Sequence, residues 1–414
     1  MCSTKRGWPS HAICPNNHLD ARYRIAGVSQ GASSELPLTA TKSSSRVNRL
    51  TSARWTFEWL TSWDEIWSEP FLAQWHEWME TSPTAHVFFH PALVRAWVET
   101  YLPLHRMEPR FLVATRDDCT VFLPMVLWRR NWKNAFQRLL IPVGYSDYDY
   151  HDPIVVGDKD NRVLESFWRQ LLVMVSKDLG SEYDAMQLGG IREAAACSGR
   201  FFEERDLCPW CDLSGLVDGE SFLRSLNKSL RGDIRRQERR MNETGSIGYH
   251  VFGNEDVLAA TESLDGLLHA HSQRWPQAYK ASGFHANLIR LGLKAGVTHF
   301  SMLRVGERIV AWHLGFVYGS RFYYYMPAHE AEYARLSPGK ILLYYCIRDA
   351  IEKGLMLFDH LRGEESYKAG WTNHANRLYR LQVAGSSIGA TLRNLAVDRL
   401  KPAVCQAARS WRGG

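Results

Sequence analysis

Long apolar runs are missing from this sequence. None of its 414 residues lies in an apolar stretch of the roughly 18 residues that a membrane-spanning helix requires. The first part of the chain also lacks the apolar core of about 7–15 residues that marks a secretory signal peptide. These two absences predict a protein without a transmembrane segment, and we expect it in the cytoplasm.

A cysteine framework is missing as well. The chain has eight cysteines, and their irregular spacing is typical of reduced thiols rather than of a disulfide-stabilised domain. Only Cys208-Pro-Trp-Cys211 has the spacing of a redox or zinc motif. A redox motif of this kind lies between a strand and a helix, and a zinc site needs two further ligands, but the neighbouring residues provide neither context. We therefore expect no bound metal.

The formal net charge of +6 is concentrated at the start of the chain. The first 54 residues contain eight Lys or Arg and two acidic residues, so the remainder has equal numbers of acidic and basic residues. Without a basic excess in its body, the chain is not expected to bind DNA. Residues 1–54 are predicted to form a disordered basic tail, although their Arg and Ser content also resembles a transit peptide, and a mistaken upstream start codon fits equally well.

Two α/β patterns follow, over residues 55–213 and 214–388, and a basic amphipathic helix is predicted over residues 389–414. The first pattern opens with two helices, the second of which begins at His90-Pro91, and continues with a hairpin around Asp117-Asp118. The second pattern is β-α-α-β-β-β-loop-α-β, with glycine-containing turns between three successive strands. A chain of this length can form two packed domains.

A long helix predicted over residues 219–241 joins the two patterns and has two different surfaces. An apolar stripe lies beside a basic stripe whose members are three or four residues apart. The basic stripe is either a solvated charged face or a site for the phosphates of a cofactor or a nucleic acid, since guanidinium groups bind phosphate in a bidentate manner. Its residues are Arg224, Lys228, Arg231, Arg235 and Arg239.

Four segments of the second pattern resemble one known group of proteins. They are Leu230-Arg-Gly-Asp-Ile-Arg-Arg236, Leu336-Ser-Pro-Gly-Lys340, Phe358-Asp-His-Leu-Arg-Gly-Glu-Glu365 and Tyr367-Lys-Ala-Gly-Trp371. Over about residues 222–379 the chain is similar to the GNAT-like acyltransferases associated with cellulose and exopolysaccharide biosynthesis, which are relatives of the Fem peptidyltransferases. The resemblance implies an α/β (α+β) fold of two tandem GNAT-like domains, each a mixed, mostly antiparallel sheet flanked by helices. The first domain would be degenerate and the second would carry the activity.

The resemblance places a cofactor-binding loop before the next-to-last long helix. In GNAT folds, backbone amides at a helix N-terminus bind the pyrophosphate of acyl-coenzyme A, and the helix dipole favours this contact. The loop departs from the usual pattern because only one glycine remains and Pro338 has no N–H group, and a Ser-Pro-Gly loop also suits a simple helix cap. The predicted cofactor-binding residues are Arg335, Ser337, Gly339, Lys340 and Ile341.

The implied chemistry is direct attack of an amine or hydroxyl on a thioester, which requires aligned reactants and groups that accept and donate a proton. Tyr367 lies where GNAT enzymes commonly have a tyrosine that protonates the departing thiolate. Asp359, at the end of a predicted strand, and His313, within a central strand, are the candidate proton acceptors. Because His313 shares its face with apolar residues, it is alternatively a core residue.

Two groups of polar residues are candidates for acceptor binding. The first group lies in an aromatic and acidic loop that suits recognition of a sugar or an amine, or else packs on itself. The second group either holds an anionic acceptor or cofactor phosphates, or forms a local ion-pair cluster. The groups are Asp147, Tyr148 and Asp152, and Arg362, Glu365 and Lys368.

We expect an N- or O-acyltransferase that moves an acyl group, with acetyl as the expected one, from acyl-coenzyme A to a small-molecule or saccharide acceptor. The acceptor would be a sugar, a polysaccharide precursor or an amino compound, and the enzyme a monomer or homodimer. One alternative is Fem-like transfer from aminoacyl-tRNA, for which the basic stripe would bind the tRNA phosphates. Another is a non-catalytic scaffold of a polysaccharide-synthesis complex, which the reduced glycine loop suggests.

Overall fold

A computed structural model of the chain describes residues 54–157, 161–196, 201–276, 280–363, 365, 367–372 and 374–400. Residues from Arg54 onward form one compact unit. The predicted basic tail, apart from Arg54, lies outside the described residues, and the predicted C-terminal helix is described only as far as residue 400. Within the described ranges, every helix is too short or too polar to cross a bilayer.

The first half of this unit, residues 54–213, alternates helices with short strands. Its second long helix begins at Pro91 as predicted, where the ring of His90 accepts a hydrogen bond from the amide of Ala92 (3.2 Å). The helices are α1 (Trp63–Ile66), α2 (Glu69–Thr81), α3 (Pro91–Tyr101), α4 (Asn161–Asp178) and α5 (Glu193–Ala196). The strands are β1 (Thr56–Leu60), β2 (Arg106–Pro109), β3 (Phe111–Arg116), β4 (Cys119–Leu123), β5 (Met125–Arg129), β6 (Arg138–Pro142), β7 (Ile154–Val156), β8 (Ala185–Arg192) and β9 (Glu203–Asp212).

The second half, residues 214–400, follows the predicted succession of elements. Three consecutive antiparallel strands, β11 to β13, are joined by tight turns at Gly306 and Gly319, which both have positive φ angles. The helices are α6 (Gly219–Ser225), α7 (Lys228–Thr244), α8 (Val257–Arg274), α9 (Phe284–Lys294), α10 (Pro338–Glu352) and α11 (Ile388–Leu395). The strands are β10 (Ile247–Phe252), β11 (Thr298–Val305), β12 (Arg308–Tyr318), β13 (Arg321–His329), β14 (Leu357–Asp359) and β15 (His374–Ala384).

The single long helix predicted over residues 219–241 is wrong, because two helices occupy this stretch. Leu226 has an extended backbone (φ −74°, ψ 157°) that ends α6. The side chain of Asn227 then accepts a hydrogen bond from the amide of Leu230 (2.8 Å) and caps α7. Leu223, Leu226 and Ile234 are nevertheless buried, so the apolar stripe faces the core from both helices.

The structure has two sheets, and the larger one runs through both halves. A four-stranded sheet has the order β1-β3-β4-β7, and an eleven-stranded sheet has the order β10-β11-β12-β13-β14-β9-β15-β8-β6-β5-β2. In the larger sheet β9, the last strand of the first half, lies between β14 and β15 of the second half. The strand β15, the last of the second half, pairs in turn with β8 of the first. Each half therefore supplies its final strand to the sheet of the other.

Each half also contains one parallel pair of strands joined by a helix. In the first half β6 pairs with β8 after the crossover through α4, and in the second β13 pairs with β14 after α10. The other strand pairs of the structure are antiparallel. This repeated arrangement confirms the predicted α/β class, with mixed, mostly antiparallel sheets flanked by helices.

The two halves share one aromatic core. The ring of Phe88, from the first half, lies 5.8 Å from that of Phe316 and 5.7 Å from that of Tyr323, both from the second half. All three side chains are buried. Contacts of this kind stabilise aromatic pairs beyond the effect of area burial alone. The two halves are therefore joined by aromatic packing in addition to strand pairing.

Candidate functional site

The two parallel strands of the second half part from one another. Pairing between β13 and β14 is limited to three residue pairs and ends at Tyr323 and Asp359. Beyond this point β13 continues to His329 along β12. The chain after Asp359 follows β9 instead, with the His360 amide bonded to the Pro209 carbonyl (2.9 Å). A gap therefore opens between the two strands, and we call it the strand gap.

Asp359 closes the narrow end of the strand gap and is fully buried. Its carboxylate accepts hydrogen bonds from the Tyr150 hydroxyl (2.8 and 2.9 Å) and from the Leu361 amide (2.9 Å). It also forms an ion pair with Arg321 (3.0 Å). Both carboxylate oxygens are thus engaged by partners from the loop, the backbone and β13. This geometry suits a residue that positions the end of β14 better than a mobile proton acceptor.

Tyr367 lies beside the strand gap, at the start of a short 3₁₀ turn (Lys368–Gly370), and keeps 40% of its surface exposed. Partial burial and the carboxylate of Glu365 raise its pKa. Burial and the neighbouring Tyr367 raise the pKa of Tyr324, the first β13 residue beyond the pairing. Both phenols are therefore protonated at neutral pH, as a proton donor must be.

His360, which follows β14, contacts Cys211 of the neighbouring strand β9. The Cys211 thiol lies 3.3 Å from the Nε2 atom of His360, and both side chains are buried. Burial raises the pKa of Cys211 to about 12 and lowers the pKa of His360 to about 3. At neutral pH the pair is a thiol beside a neutral imidazole, whereas a nucleophilic cysteine requires a thiolate. The sequence motif contained His360, but neither its burial nor its contact with Cys211 could be read from the motif.

Lys368 is buried beneath the turn that follows β14, and only 4% of it is exposed. Its ammonium group donates to the carbonyl of Arg362 (3.0 Å) and, at 3.4 Å, to those of Leu361 and Gly363. It also pairs with Glu365 (2.9 Å). Leu361 has a left-handed backbone (φ 57°), which is unfavourable for a leucine. Lys368 therefore fixes the shape of this turn, and Glu365 is its counter-ion.

The aromatic loop of the first half is buried. The carboxylate of Asp147 accepts from the Trp97 indole (2.8 Å) and pairs with Lys280 (3.0 Å). The Tyr148 hydroxyl donates to the carbonyl of Leu93 (2.7 Å). Partners distant in sequence thus bind the side chains of both residues, so the loop is packed against the rest of the protein and is neither open nor packed only on itself.

Asp152, the third residue predicted in that loop, is also buried. It forms an ion pair with Arg192, whose guanidinium also donates to the carbonyl of Thr84 (2.9 Å). This contact fixes the end of the loop to β8, so its carboxylate does not face solvent.

The same loop nevertheless contacts the segment after β14. Besides the bond from Tyr150 to Asp359, Arg362 lies 3.4 Å from the carboxylate of Asp149 and 3.6 Å from that of Asp206. Two segments more than 200 residues apart in sequence, both containing candidate residues, therefore meet at the strand gap. The bridging residues Tyr150 and Asp149 were not among the candidates, because sequence gives no sign of which loop residue reaches the other half.

The predicted cofactor loop lies at the N-terminus of α10. Ser337 has a left-handed backbone (φ 53°, ψ 50°), and the amides of Lys340 and Ile341 both bond to its carbonyl (3.0 and 3.2 Å). The Gly339 amide has no acceptor among the described residues. Arg335 is exposed, whereas the side chain of Ile341 belongs to the core. The loop thus presents one unused amide and the Arg335 guanidinium, together with the positive end of the helix dipole.

The ammonium group of Lys340 forms an ion pair with Asp233 of α7, which also pairs with Arg236. A shallow cleft of about 640 Å³ runs along this face of α7. The Lys340 contact brings the N-terminus of α10 beside this α7 cleft. The cleft is lined by Lys228, Ser229, Gly232, Asp233, Arg235, Arg236 and Arg239.

His313 lies outside the strand gap. It is fully buried, and neither ring nitrogen has a hydrogen-bond partner among the described residues. Its ring stacks on that of Tyr324 at 4.4 Å between centroids. Burial lowers the pKa of His313 well below its usual value. The apolar setting fits the core alternative named from the sequence, and we do not include His313 in the proposed mechanism.

Comparisons with known proteins agree with this architecture. A sequence model described as an acetyltransferase (GNAT) domain matches residues 228–369. No curated protein matches the chain. The crystal structure of FemX is similar, with a TM-score of 0.56 over 79% of this chain and 98% of that chain, at 10% identity. A tandem GNAT protein from the clavulanic acid biosynthesis pathway has a TM-score of 0.41 over 81% of this chain and 99% of that chain, at 12% identity.

The FemX structure, at 10% identity, is a likeness of fold alone. The stretch that matches the sequence model, residues 228–369, contains the cofactor loop, β13, β14 and Tyr367. This match to a GNAT acetyltransferase domain confirms the predicted enzyme class, a GNAT-type N- or O-acyltransferase. The narrower resemblance to the cellulose and exopolysaccharide group stays a prediction.

Proposed function

We propose that the second half binds an acyl-coenzyme A in the strand gap and transfers its acyl group to an amine or hydroxyl of a small molecule or saccharide. The parting of β13 and β14 beside the N-terminus of α10 is the observation that carries this proposal. From Tyr324 onward, the edge of β13 that faces β14 has no strand partner among the described residues. Amide groups of an extended thioester substrate can form hydrogen bonds with such an edge.

Three groups near the loop suit the phosphates of this substrate. The Gly339 amide and the α10 dipole favour an anion, and the exposed Arg335 side chain adds a permanent positive charge. Ser337 and Ile341 contribute through the backbone that shapes this turn. The role of Lys340 is indirect, since its ammonium group is already paired with Asp233.

In the proposed reaction the acceptor nitrogen or oxygen attacks the thioester carbonyl, the carbon–sulfur bond breaks, and Tyr367 protonates the departing thiolate. The proton that the acceptor loses passes to water, and the Tyr367 phenolate takes a proton back from water. The neutral Cys211–His360 pair argues against a covalent acyl-cysteine step. Asp359 and Lys368 act through position, since they hold the end of β14 and the turn that leads to Tyr367. Alignment of the two substrates would supply most of the rate enhancement.

The first test asks whether the Tyr367 hydroxyl acts as the general acid or only supports the fold. Tyr367→Phe removes one hydroxyl, and we expect turnover with acetyl-coenzyme A to fall about 100-fold, within the range for general acid catalysis. Affinity for acetyl-coenzyme A, measured by calorimetric titration, should stay unchanged. Tyr379→Phe, on β15, is the matched control and should retain full turnover. Equal turnover in both variants would remove Tyr367 from the mechanism.

The titration itself tests the choice of donor. Binding heat and a rise in melting temperature are expected when acetyl-coenzyme A is added to the wild-type protein. Gly339→Val should abolish the binding heat and the rise in melting temperature. A Cβ atom added at this position would lie 3.2 Å from the His329 ring, and valine adds two further methyl groups. If no heat is measured at millimolar acetyl-coenzyme A, this donor is excluded. The remaining candidates would then be a non-catalytic scaffold and a tRNA-dependent transferase.

A second candidate is Fem-like transfer from aminoacyl-tRNA. Four basic residues of the α7 cleft beside α10, together with the FemX fold, favour it. A cleft that binds several phosphates should lose affinity steeply as salt rises, whereas one small ligand at the α10 N-terminus should be less sensitive. Titration of the protein with bulk tRNA at low and moderate salt, with Arg235→Gln and Arg239→Gln as variants, distinguishes the two donors. Affinity for tRNA that neither salt nor these variants change would exclude this candidate.

A further inference from the structure

Exposed apolar side chains concentrate at one end of the large sheet, away from the strand gap. Twelve large apolar residues are exposed among those described, and five of them lie on only two elements. Two are on the loop between β5 and β6 and three are on α11. These five residues, which we call the apolar patch, are Trp132 (70% exposed), Phe136 (66%), Ile388 (81%), Leu392 (60%) and Leu395 (44%).

The two elements of the apolar patch are in contact. Gln137, which follows Phe136 in the chain, donates to the side chain of Asn394 (2.8 Å), which precedes Leu395. The next residue on the β6 side, Arg138, and the preceding helix residue, Arg393, both pair with the buried Asp184 (3.0 and 2.9 Å). The hairpin tip and the helix therefore form one continuous surface.

The helix α11 carries its apolar side chains outward. Ile388, Leu392 and Leu395 recur at steps of four and three residues and so share one face. On the protein side, Ala390 is fully buried and Arg393 and Asn394 bind to the body of the protein. A surface helix ordinarily turns its apolar stripe toward the core, so this inverted arrangement favours an apolar environment beyond the part of the chain that the structure describes.

The β5–β6 loop holds its aromatic residues outward in a fixed shape. The amide of Phe136 bonds to the carbonyl of Asn131 (3.1 Å) and the amide of Ala135 to that of Trp132 (3.0 Å). Ala135 and Phe136 both have left-handed backbones with φ near 52°. Two consecutive non-glycine residues in this region are unfavourable, and strained backbone of this kind is concentrated at functional sites.

The charged residues within the two chain segments of the apolar patch are all basic, and the carboxylates that pair with some of them come from elsewhere: Glu108 pairs with Arg129, and Asp184 with Arg138 and Arg393. No acidic residue occurs between Asp118 and Asp147, while that interval contains Arg129, Arg130, Lys133 and Arg138. Likewise no acidic residue occurs between Glu365 and Asp398, the interval that contains α11. At the tip, the ammonium group of Lys133 lies 5.9 Å from the centre of the Trp132 ring. Exposed aromatic and aliphatic side chains beside Lys and Arg are the composition of elements that insert into the interface of an anionic bilayer.

We propose that the apolar patch docks the protein on an anionic lipid surface. Trp132, Phe136 and the α11 stripe would enter the interfacial layer, where the amphipathic ring of tryptophan is favoured. Lys133, beside Trp132 at the hairpin tip, would contact the lipid phosphates. Exposures of up to 81% mark a protruding surface, which suits insertion into a layer rather than enclosure by a protein groove. The proposal does not depend on the acyl donor.

Flotation of the full chain with lipid vesicles tests the proposal. We expect binding to vesicles of equal parts phosphatidylglycerol and phosphatidylcholine, weak binding to pure phosphatidylcholine, and loss of binding as salt rises. Replacing Trp132 and Phe136 together by Ser, or Ile388 and Leu392 together by Ser, should weaken binding about tenfold or more. The matched control Leu258→Ser removes an equally exposed leucine from α8 and should bind as the wild type does.

A separate charge variant tests the basic part of the surface. Lys133→Glu should weaken binding to the anionic vesicles and leave the residual binding to phosphatidylcholine unchanged. Absence of wild-type binding to anionic vesicles, or equal binding by wild type and the Trp132/Phe136 variant, would overturn the proposal. A dimer in light scattering that the same double variant converts to monomer would assign the apolar patch to a second copy of this chain instead.

Discussion

Several buried histidines of the second half carry ring nitrogens without partners. Neither nitrogen of His313 is hydrogen-bonded, and the Nδ1 atoms of His299 and His360 have no partner among the described residues. Burial is the largest cause of the lowered pKa of each ring. A neutral, desolvated imidazole is destabilising wherever its polar atoms are unsatisfied, so these positions influence stability as well as chemistry.

His313→Phe distinguishes a catalyst from a core residue. The phenyl ring matches the stacked surroundings of Tyr324 and Phe322 and removes two unsatisfied polar atoms. We expect the free energy of unfolding to rise by about 1–3 kcal/mol and turnover to be unchanged. Urea denaturation and a steady-state assay measure the two effects. A loss of turnover with an intact fold would restore His313 to the catalytic candidates.

His360 makes stability depend on pH. Its pKa is about 3 in the folded protein and 6.5 as the ordinary value, so the unfolded chain binds the extra proton first as pH falls. Stability is complete above about pH 6.5 and declines toward pH 3, with a loss of about 2 kcal/mol between pH 7 and 5. His360→Gln should remove that part of the pH dependence, while the exposed His269→Gln should not. Identical pH profiles of all three proteins in denaturant unfolding would contradict this assignment.

At the level of single residues, the sequence predicts the local elements of the candidate segments better than the contacts of their side chains. Tyr367 lies beside the strand gap, and the cofactor loop opens a helix as expected. The partners of Asp147 are Trp97 and Lys280, which lie 50 and 133 positions away. Contacts over such separations depend on tertiary packing, so neither periodicity nor motif spacing could show that this carboxylate is buried.

At the level of elements, the turn after β14 combines a left-handed leucine with a buried lysine. Lys368→Met would leave three carbonyl oxygens without their charged donor. We expect a loss of about 1–3 kcal/mol in the free energy of unfolding, a lower kcat because Tyr367 shifts, and an unchanged affinity for acetyl-coenzyme A. Lys294→Met, at an exposed position on α9, is the control and should alter none of these quantities. A change in affinity alone would place Lys368 in substrate binding instead.

Most helices and strands of the second half could be predicted, because their periodic apolar patterns are long. The sequence predicts a strand over residues 247–252 and a helix over 256–275, and the structure has β10 (Ile247–Phe252) and α8 (Val257–Arg274) there. The break between α6 and α7 was missed because Leu226 continues the apolar stripe across it. The sequence also predicts a strand over residues 355–361, but β14 is shorter (Leu357–Asp359), since its chain leaves β13 after Asp359 to follow β9.

At the level of the whole molecule, the exchange of final strands makes the halves interdependent. A fragment of residues 214–414 would lack β9, which pairs with both β14 and β15. Exposed sheet edges of this kind promote aggregation, so we expect this fragment to be insoluble or unfolded by circular dichroism. Residues 54–414, the compact unit, should fold and unfold in one cooperative calorimetric transition. Independent folding of 214–414, or two separate transitions of 54–414, would contradict the interdependence.

The interleaved order of β14, β9, β15 and β8 also bears on how such a chain can change over evolutionary time. In the first half, the loop that contains the buried Tyr148 and Tyr150 reaches β8 through His151, whose ring bonds to the Gly189 carbonyl (2.8 Å). Loss of the first half would remove β9 from between β14 and β15. A deletion there therefore also disrupts the half that contains the candidate site, so the two halves are constrained to change together.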